Sequence, residues 1–267
     1  MSERKLNMAK YKARNARGAN RPNPREDRNW DPTESGYSNR KNYRKETAPA
    51  VAKPSAVEVK PRTLAQKAFL CSIKDPNTSI VFGVGPAGTG KTYLATLQAI
   101  KMLKSGIIDK IVICRPNVAV DDTGIGFLPG DVIAKQVPWL LPVLDVFGKY
   151  YSQLQIKNML EEGIIEAVPL AFIRGRTFDR SYILFDESQN STPTSLLSVL
   201  TRIGEDSKLI VTGDLKQSDR YEDNGLKDFL ARFDPLRTPG VDVVRFDHTD
   251  IQRHPVIGGI LKMYGED

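Results

Sequence analysis

The feature that most constrains this chain is the stretch GPAGTGKT at residues 85–92, within the longer segment SIVFGVGPAGTGKTYLATLQA. It follows an apolar run typical of a buried strand and precedes a run with helical periodicity. Its glycines and the final Lys-Thr have the spacing G-x-x-x-x-G-K-T of a phosphate-binding loop. In such a loop successive backbone N–H groups face phosphate oxygens, and the following helix adds a favourable dipole. The chain is therefore predicted to contain a strand, loop and helix that bind a nucleotide.

The last two residues of this loop have separate predicted tasks. Lys91 should reach the β and γ phosphates, and the Thr92 hydroxyl should ligate Mg²⁺. The whole loop should hold the nucleotide, and its members are Gly85, Pro86, Ala87, Gly88, Thr89, Gly90, Lys91 and Thr92. Residues 83–88 also fit the dinucleotide pattern G-x-G-x-x-G, but this alternative accounts for neither Lys91 nor Thr92.

The rest of the chain from about residue 63 alternates short apolar runs with helical patterns, which predicts an α/β fold with a parallel central sheet. The predicted strands are residues 79–84, 110–114, 164–168, 181–185, 207–212 and 241–246. Thr192 and Pro193 are typical of a helix start, and apolar residues at helical spacing follow them. A last helix has the same spacing, with Ile257, Ile260, Leu261 and Tyr264 on its predicted core face. Residues 124–163 have the least regular pattern and are interpreted as an insertion.

A second motif, SYILFDESQN, ends an apolar strand in Asp186 and Glu187. Carboxylates at a strand end face the crevice in which α/β sheets bind ligands. Asp186 is predicted to hold Mg²⁺, and Glu187 to orient and deprotonate an attacking water. The alternative is an exposed acidic pair with no catalytic task. Gln189 gives the Asp-Glu-x-Gln arrangement of helicase-like ATPases.

Two further candidates lie towards the carboxyl end of the chain. Gln217 follows the strand of KLIVTGDLKQ, where it would sense the γ phosphate or place water, and Asp214 there is a candidate cap for the next turn. Arg253 precedes the last predicted helix and would stabilise charge on the transferring phosphoryl group, in cis or from a neighbouring subunit. The alternatives are a surface amide for Gln217 and a surface ion pair for Arg253.

The net charge of +7 belongs to the first 60 residues, which contain 15 Lys and Arg against 7 Asp and Glu. Residues 61–267 contain 24 against 25 and are nearly neutral. The first 50 residues have Leu6 and no Ile, Val or Phe, too little apolar area to offset the entropy of ordering. Residues 1–60 are therefore predicted to be a disordered basic tail, either in contact with nucleic-acid phosphates or simply solvated.

Cysteine content and hydropathy exclude several classes of protein. Cys71 and Cys114 are the two cysteines, so a disulfide framework is not expected and each should be a small buried residue. No apolar run reaches the length of about 18 residues that spans a membrane, and the first residues lack the apolar stretch of a signal peptide. A cytoplasmic protein without membrane partners is expected.

Taken together, these motifs resemble those of the PhoH-like family of phosphate-starvation-inducible ATPases. The blocks that carry the resemblance are LAQKAFL, GPAGTGKT, CRPNV, GFLPGD, FIRGRTF, YILFDESQN, LTRIGEDSKLIVTGDLKQ and RHPVI, between residues 62 and 264. The family usually has Asp-Glu-Ala-Gln where this chain has Ser188. The resemblance covers residues 61–267 as one domain, and the tail is not part of it.

The resemblance implies a RecA-like P-loop NTPase allied to superfamily-one helicases, with ATP and Mg²⁺ bound. It also implies that Gln66 lies on the adenine side and that Arg253 is more than an ion pair. Short members of the family occur in bacterial viruses, for which the compartment would be the host cytoplasm.

The expected function is hydrolysis of ATP stimulated by RNA or single-stranded DNA. Arg115, Pro116 and Asn117 follow the second strand, where related ATPases contact nucleic acid, and Arg174 and Arg176 are further candidates. Helicases close ATP between two lobes, whereas residues 61–267 contain one phosphate loop, so a homo-oligomer such as a hexameric ring is expected. The alternatives are a small-molecule P-loop kinase and a non-catalytic nucleotide switch tethered by its basic tail.

Overall fold

The structure, a computed structural model, describes residues 56–116, 132–219 and 222–252, together with Val256 and Met263. Side chains are described in these ranges except at residues 132–139. The predicted tail up to residue 55, Asn117, Arg253 and the apolar positions of the last predicted helix lie outside the described residues.

Six parallel strands form one sheet in the order β3-β2-β4-β5-β1-β6. Their bounds are β1 Ile80–Val84, β2 Lys110–Cys114, β3 Ile165–Ala167, β4 Ser181–Phe185, β5 Lys208–Gly213 and β6 Val241–Arg245. All six predicted strands are confirmed, with ends within one residue of the prediction. Their nearly continuous apolar runs suit strands that are covered on both faces.

The described residues form six α-helices between or beside these strands. Their bounds are α1 Leu64–Lys74, α2 Lys91–Lys104, α3 Val132–Phe147, α4 Gln153–Glu161, α5 Pro193–Leu200 and α6 Gly225–Arg232. α5 begins as predicted, because the Thr192 hydroxyl accepts a hydrogen bond from the Ser195 N–H at 3.1 Å. Its buried residues, Leu196 and Val199, belong to the predicted core stripe.

The sheet has an apolar layer on each face. One layer contains side chains from α1, α2, α3 and α4, and the other contains side chains from α5 and α6. Successive residues of β4 alternate between them: Tyr182 and Leu184 join the first layer, and Ile183 and Phe185 join the second. The predicted α/β class with a parallel central sheet is confirmed.

The segment 124–163, interpreted from sequence as an insertion, contains two helices in its described part. α3 packs against α2 and buries Leu140, Val143 and Phe147. The helical pattern was obscured because prolines occur at positions 138 and 142 inside α3, and proline lacks the N–H that a helix interior uses.

The two cysteines differ in their surroundings. Cys114 at the end of β2 is fully buried, and this burial raises the pKa of its thiol to about 12, so it acts as a small apolar residue. Cys71 is exposed on α1, and the prediction that it would be buried was wrong, because the residue lies on the outward face of that helix. Among the helices that the structure describes, none combines the length and apolar character needed to cross a membrane.

The strand order brings the sequence motifs to one edge of the sheet. β1 lies between β5 and β6, and β5 separates it from β4. Because all neighbours are parallel, the residues after β1, β4 and β5 meet at the carboxyl edge, where α/β sheets bind ligands. This is the arrangement of a RecA-like P-loop NTPase, as predicted.

Candidate nucleotide site

A cleft of about 230 Å³ lies at this carboxyl edge of the sheet. It is formed by the predicted phosphate loop, the acidic end of β4 and the residues after β5. Its lining residues are Ala87, Gly88, Gly90, Lys91, Thr92, Tyr93, Asp186, Glu187, Gly213, Asp214 and Gln217. Three motifs that are far apart in sequence therefore meet around one space.

The loop needs glycine at two of its positions. A Cβ atom at Gly85 would lie 2.3 Å from the Phe246 carbonyl oxygen, closer than any real contact. Gly90 has φ +82° and directly precedes α2, and this left-handed conformation disfavours residues with a Cβ. The loop can thus pass close to β6 and deliver its backbone N–H groups to the amino end of α2.

Lys91 lies at the centre of the loop. Its side chain is buried, with 8% of the residue exposed, and its Nζ donates to the carbonyls of Gly85 at 2.6 Å and Pro86 at 2.7 Å. It also lies 3.2 Å from the Thr89 hydroxyl. The ammonium group is therefore held inside the loop, where it can contact the phosphates of a bound nucleotide.

The Thr92 hydroxyl donates to Asp186 Oδ1 at 2.9 Å, and the Thr212 hydroxyl donates to the same oxygen. Hydroxyl and carboxylate oxygens are the hard ligands that Mg²⁺ prefers, and Mg²⁺ sites use few protein ligands beside phosphates and water. Thr92 and Asp186 both line the cleft and are close enough to share one ion. The donor set predicted from sequence fits Mg²⁺.

Glu187 has a strained backbone and two side-chain partners. Its φ of 54° and ψ of 38° lie in the left-handed region, which costs a residue with a Cβ about 1–2 kcal/mol. Arg115 Nη2 donates to its Oε1 at 3.1 Å, and Gln189 Nε2 donates to its Oε2 at 2.6 Å. Strain of this kind is concentrated at functional sites.

Gln189 and Asp214 connect Glu187 to the phosphate loop. Gln189 is buried, with 1% exposed, and its Oε1 accepts from the Asp214 N–H at 3.1 Å. Asp214 Oδ2 in turn accepts from the Ala87 N–H of the loop at 3.1 Å, while its Oδ1 accepts from the Lys216 N–H at 3.0 Å. Asp214 therefore caps the turn, as considered from sequence, and also bridges to the loop.

Gln217 lines the cleft with an exposed side chain, and its backbone carbonyl lies 3.5 Å from Gln189 Nε2. Its predicted contact with the γ phosphate stays a prediction.

Gln66 is buried beneath the phosphate loop, with 3% exposed. Its Nε2 donates to the Thr89 carbonyl at 2.9 Å, and its Oε1 accepts from the Arg62 N–H at 2.7 Å. Both ends of the carboxamide therefore bind the protein and hold α1 against the loop. The adenine contact expected for Gln66 stays a prediction.

Arg253 lies outside the described residues, but its neighbour Gln252 is described. The Gln252 N–H donates to the Gly88 carbonyl of the loop at 2.9 Å. The segment that follows β6 therefore reaches the phosphate loop of its own chain one residue before Arg253. The catalytic role expected for this arginine stays a prediction.

Sequence reasoning did not identify three contributors to the site. Tyr93 lines the cleft directly after Thr92, and Thr212 donates to Asp186. Arg115 was considered for nucleic acid and not as a partner of Glu187. The position of Tyr93 beside the loop and of Thr212 near a strand end was a usable signal, whereas the Arg115 contact depends on β2 lying next to β4.

The fold and the cleft define a P-loop NTPase. The family model for PhoH-like proteins matches residues 58–265. The chain therefore belongs to the PhoH-like family, as the sequence motifs indicated.

Several relatives share this domain. A PhoH-like protein of Bacillus subtilis (strain 168) is 40% identical over 80% of this chain and 65% of its own length. A PhoH-like protein of Synechocystis is 37% identical over 77% of this chain and 62% of its own length. Protein PhoH of Escherichia coli (strain K12) is 35% identical over 76% and 57%. The chain thus matches about three fifths of the length of these relatives.

Among solved structures, the chain has a distant similarity to a Sulfolobus solfataricus SWI2/SNF2 ATPase core in complex with double-stranded DNA. The TM-score is 0.38 at 14% identity, over 61% of this chain and 34% of that one.

Proposed function

We propose that this protein hydrolyses ATP with Mg²⁺ and that RNA or single-stranded DNA stimulates the reaction. The observation that carries the proposal is the convergence of Lys91, the Thr92–Asp186 contact and Glu187 on one cleft. Phosphate-binding, metal-binding and water-activating groups are the parts that phosphoryl transfer to water requires.

In the proposed reaction each group of residues at the cleft has a separate task. The loop N–H groups and Lys91 bind the β and γ phosphates, and Thr92 with Asp186 holds the metal. Mg²⁺, when bound, would neutralise negative charge on the phosphates. Glu187, one residue beyond Asp186, orients water towards the γ phosphorus and accepts its proton. Gln189 positions Glu187, and Gln217 contacts the γ phosphate.

The position of Glu187 in the cleft favours hydrolysis over transfer of the phosphoryl group to another acceptor. Glu187 lines the cleft beside the metal-binding pair, and Gln189 orients its carboxylate, so this group suits activation of a water molecule at the phosphates. A kinase would instead need an acceptor pocket opposite the phosphates.

A homo-oligomer such as a hexameric ring is part of the proposal, with Arg253 acting on the ATP of the adjacent subunit. The support is that an arginine can stabilise a transferring phosphoryl group from a neighbouring subunit. The Gln252 N–H contact with the Gly88 carbonyl brings the residue before Arg253 to the loop of its own chain, which keeps action in cis as the alternative.

One assay tests these statements: phosphate release from ATP and Mg²⁺ for wild type and Lys91→Ala, without polymer, with RNA, and with single-stranded DNA. Wild type should turn over and respond to a polymer, and Lys91→Ala should lose at least about 100-fold because its phosphate contacts are gone. Full turnover in Lys91→Ala would contradict the proposal, and a labelled acceptor in place of free phosphate would indicate a kinase.

The same assay tests the oligomer. Mixing Arg253→Ala with Lys91→Ala subunits should restore part of the activity if the arginine acts between subunits. A mixture no more active than its components would contradict action in trans.

A further inference from the structure

Arg115 lies beside the catalytic carboxylate because of the strand pairing. β2 pairs with β4 so that Cys114 is opposite Phe185, and the Asp186 N–H donates to the Cys114 carbonyl at 3.0 Å. The first residue after β2 is therefore next to the acidic end of β4. From there Arg115 Nη2 reaches Glu187 Oε1 at 3.1 Å.

Glu187 is consequently held from two directions. Gln189 binds its Oε2 at 2.6 Å and belongs to the hydrogen-bond chain that runs through Asp214 to the phosphate loop. Arg115 binds its Oε1 and is not part of that chain. One partner thus connects Glu187 to the nucleotide loop, and the other connects it to the surface beyond β2.

The contact with Arg115 suits a bond that breaks during the reaction cycle. The side chains of Arg115 and Glu187 are 32% and 34% exposed, so water and competing ions reach the pair. Partly exposed ion pairs with one hydrogen bond are weak. A guanidinium binds phosphate through two parallel hydrogen bonds, whereas Arg115 contacts Glu187 through Nη2.

Exposed residues that follow the neighbouring strand at the same edge of the sheet favour a single strand of nucleic acid as the competing ligand. β3 lies beside β2, and Phe172 and Arg174 follow the carboxyl end of β3. Phe172 is 71% exposed, and Arg174 is exposed as well. An exposed aromatic ring beside arginines provides stacking for bases and charge for the backbone.

We propose that Arg115 restrains Glu187, and that a phosphate of a bound nucleic-acid strand takes over Arg115 and releases the carboxylate towards water. Arg115 is then a positioning residue that couples the polymer to hydrolysis. The inference rests on the proposed function, because it assumes that Glu187 activates water.

The test uses the full chain with Arg115→Gln, the conservative variant Arg115→Lys and the matched control Arg237→Gln. Arg237 also pairs with a carboxylate, Asp234, but precedes β6 and so lies at the opposite edge of the sheet. Phosphate release is measured without polymer and with poly(U) or oligo(dT). Binding of a fluorescent oligo(dT) is measured by anisotropy at several salt concentrations.

Arg115→Gln should raise the rate of ATP hydrolysis without polymer by up to about fivefold, because loss of a weak ion pair changes an equilibrium by at most about this factor. Addition of polymer should then change the rate little. The slope of log affinity against log salt should fall by about one, because one phosphate contact is lost. Arg115→Lys should keep part of the stimulation, because lysine still attracts phosphate as a point charge but lacks the two parallel hydrogen bonds of a guanidinium. Arg237→Gln should match wild type in all three measurements.

Two results would overturn the inference. Wild-type basal rate, stimulation and salt slope in Arg115→Gln would show that Arg115 does not couple the polymer to Glu187. A lower basal rate with the stimulation factor intact would show that Arg115 assists Glu187 instead of restraining it. If Arg115→Gln fails to fold, Arg115→Met replaces it, and either of the same two results in that variant would contradict the inference.

Failure of the proposed function is distinguishable from failure of this inference. Lys91→Ala decides whether the cleft hydrolyses ATP at all. If ATP is hydrolysed but no polymer stimulates wild type, then nucleic acid does not release Glu187 from Arg115. The rate of Arg115→Gln without polymer would still show whether Arg115 restrains Glu187.

Discussion

Two glutamates on this sheet each face an arginine, and the two pairs differ in ways that separate function from stability. Glu187 has a left-handed backbone, lines the cleft and has one hydrogen bond from Arg115. Glu166 lies within β3 and binds Arg176 through two hydrogen bonds, at 2.6 and 2.9 Å, and Lys110 through a third at 3.2 Å. The Arg176 guanidinium also lies 4.6 Å from the Phe178 ring centroid.

The bidentate geometry of the Glu166–Arg176 pair and the regular strand backbone of Glu166 suit a structural role. The hydrogen bond from Arg176, together with Lys110, holds the pKa of Glu166 below its usual value. Such a pair stabilises the edge of the sheet. The weaker pair lies at the candidate nucleotide cleft, where we propose that a change of partner alters hydrolysis.

The largest expected effect concerns turnover. Glu187→Gln should lower steady-state ATP hydrolysis by at least about 100-fold, because the amide cannot accept a proton from water. Glu166→Gln, the matched control, should stay within about twofold of wild type. Equal losses in the two variants would remove the distinction between the pairs.

A smaller effect is expected on stability and its pH dependence. Glu166→Gln should lower the free energy of unfolding by about 1–2 kcal/mol at pH 7, because charge-assisted bonds become neutral ones. The folded pKa of Glu166 is lowered, so its contribution is present above the unfolded value of about 4.3 and is lost as pH falls through the folded pKa. Urea unfolding at several pH values should show the difference shrinking below about pH 4. A constant difference would contradict this origin.

The smallest expected effect is the difference in stability between Gly and Ala variants at positions 187 and 166. At position 187 the Gly variant should be more stable than the Ala variant by about 1 kcal/mol, because the left-handed conformation penalises a Cβ. At position 166 the Ala variant should be more stable than the Gly variant by about 0.5–1 kcal/mol, because glycine weakens a strand. Thermal unfolding of the four variants measures both signs. An Ala variant at least as stable as the Gly variant at position 187 would mean that Glu187 is not strained.

The sequence was sufficient for the strands, because each is an apolar run between turn residues. It was also sufficient to bring Lys91, Thr92, Asp186 and Glu187 to one cleft, since residues after parallel strands meet at one edge; their chemical roles stay predictions.

What could not be predicted depends on tertiary pairing or on backbone conformation. The contact between Arg115 and Glu187 requires β2 to lie beside β4, and no local pattern specifies that order. The left-handed conformation of Glu187 likewise has no signal in its residue type, which disfavours it. Gln66 was recognised, yet its bond to the Thr89 carbonyl depends on how α1 packs on the loop.

We propose that Glu187 takes part in ATP hydrolysis while Glu166 supports the fold. Single-turnover phosphate release from γ-labelled ATP, with excess protein and Mg²⁺, tests it most directly because it separates chemistry from binding. Glu187→Gln should bind ATP and leave it intact, with phosphate release at least about 100-fold slower than in Glu166→Gln. Equal release rates in the two variants, each with ATP bound, would contradict it.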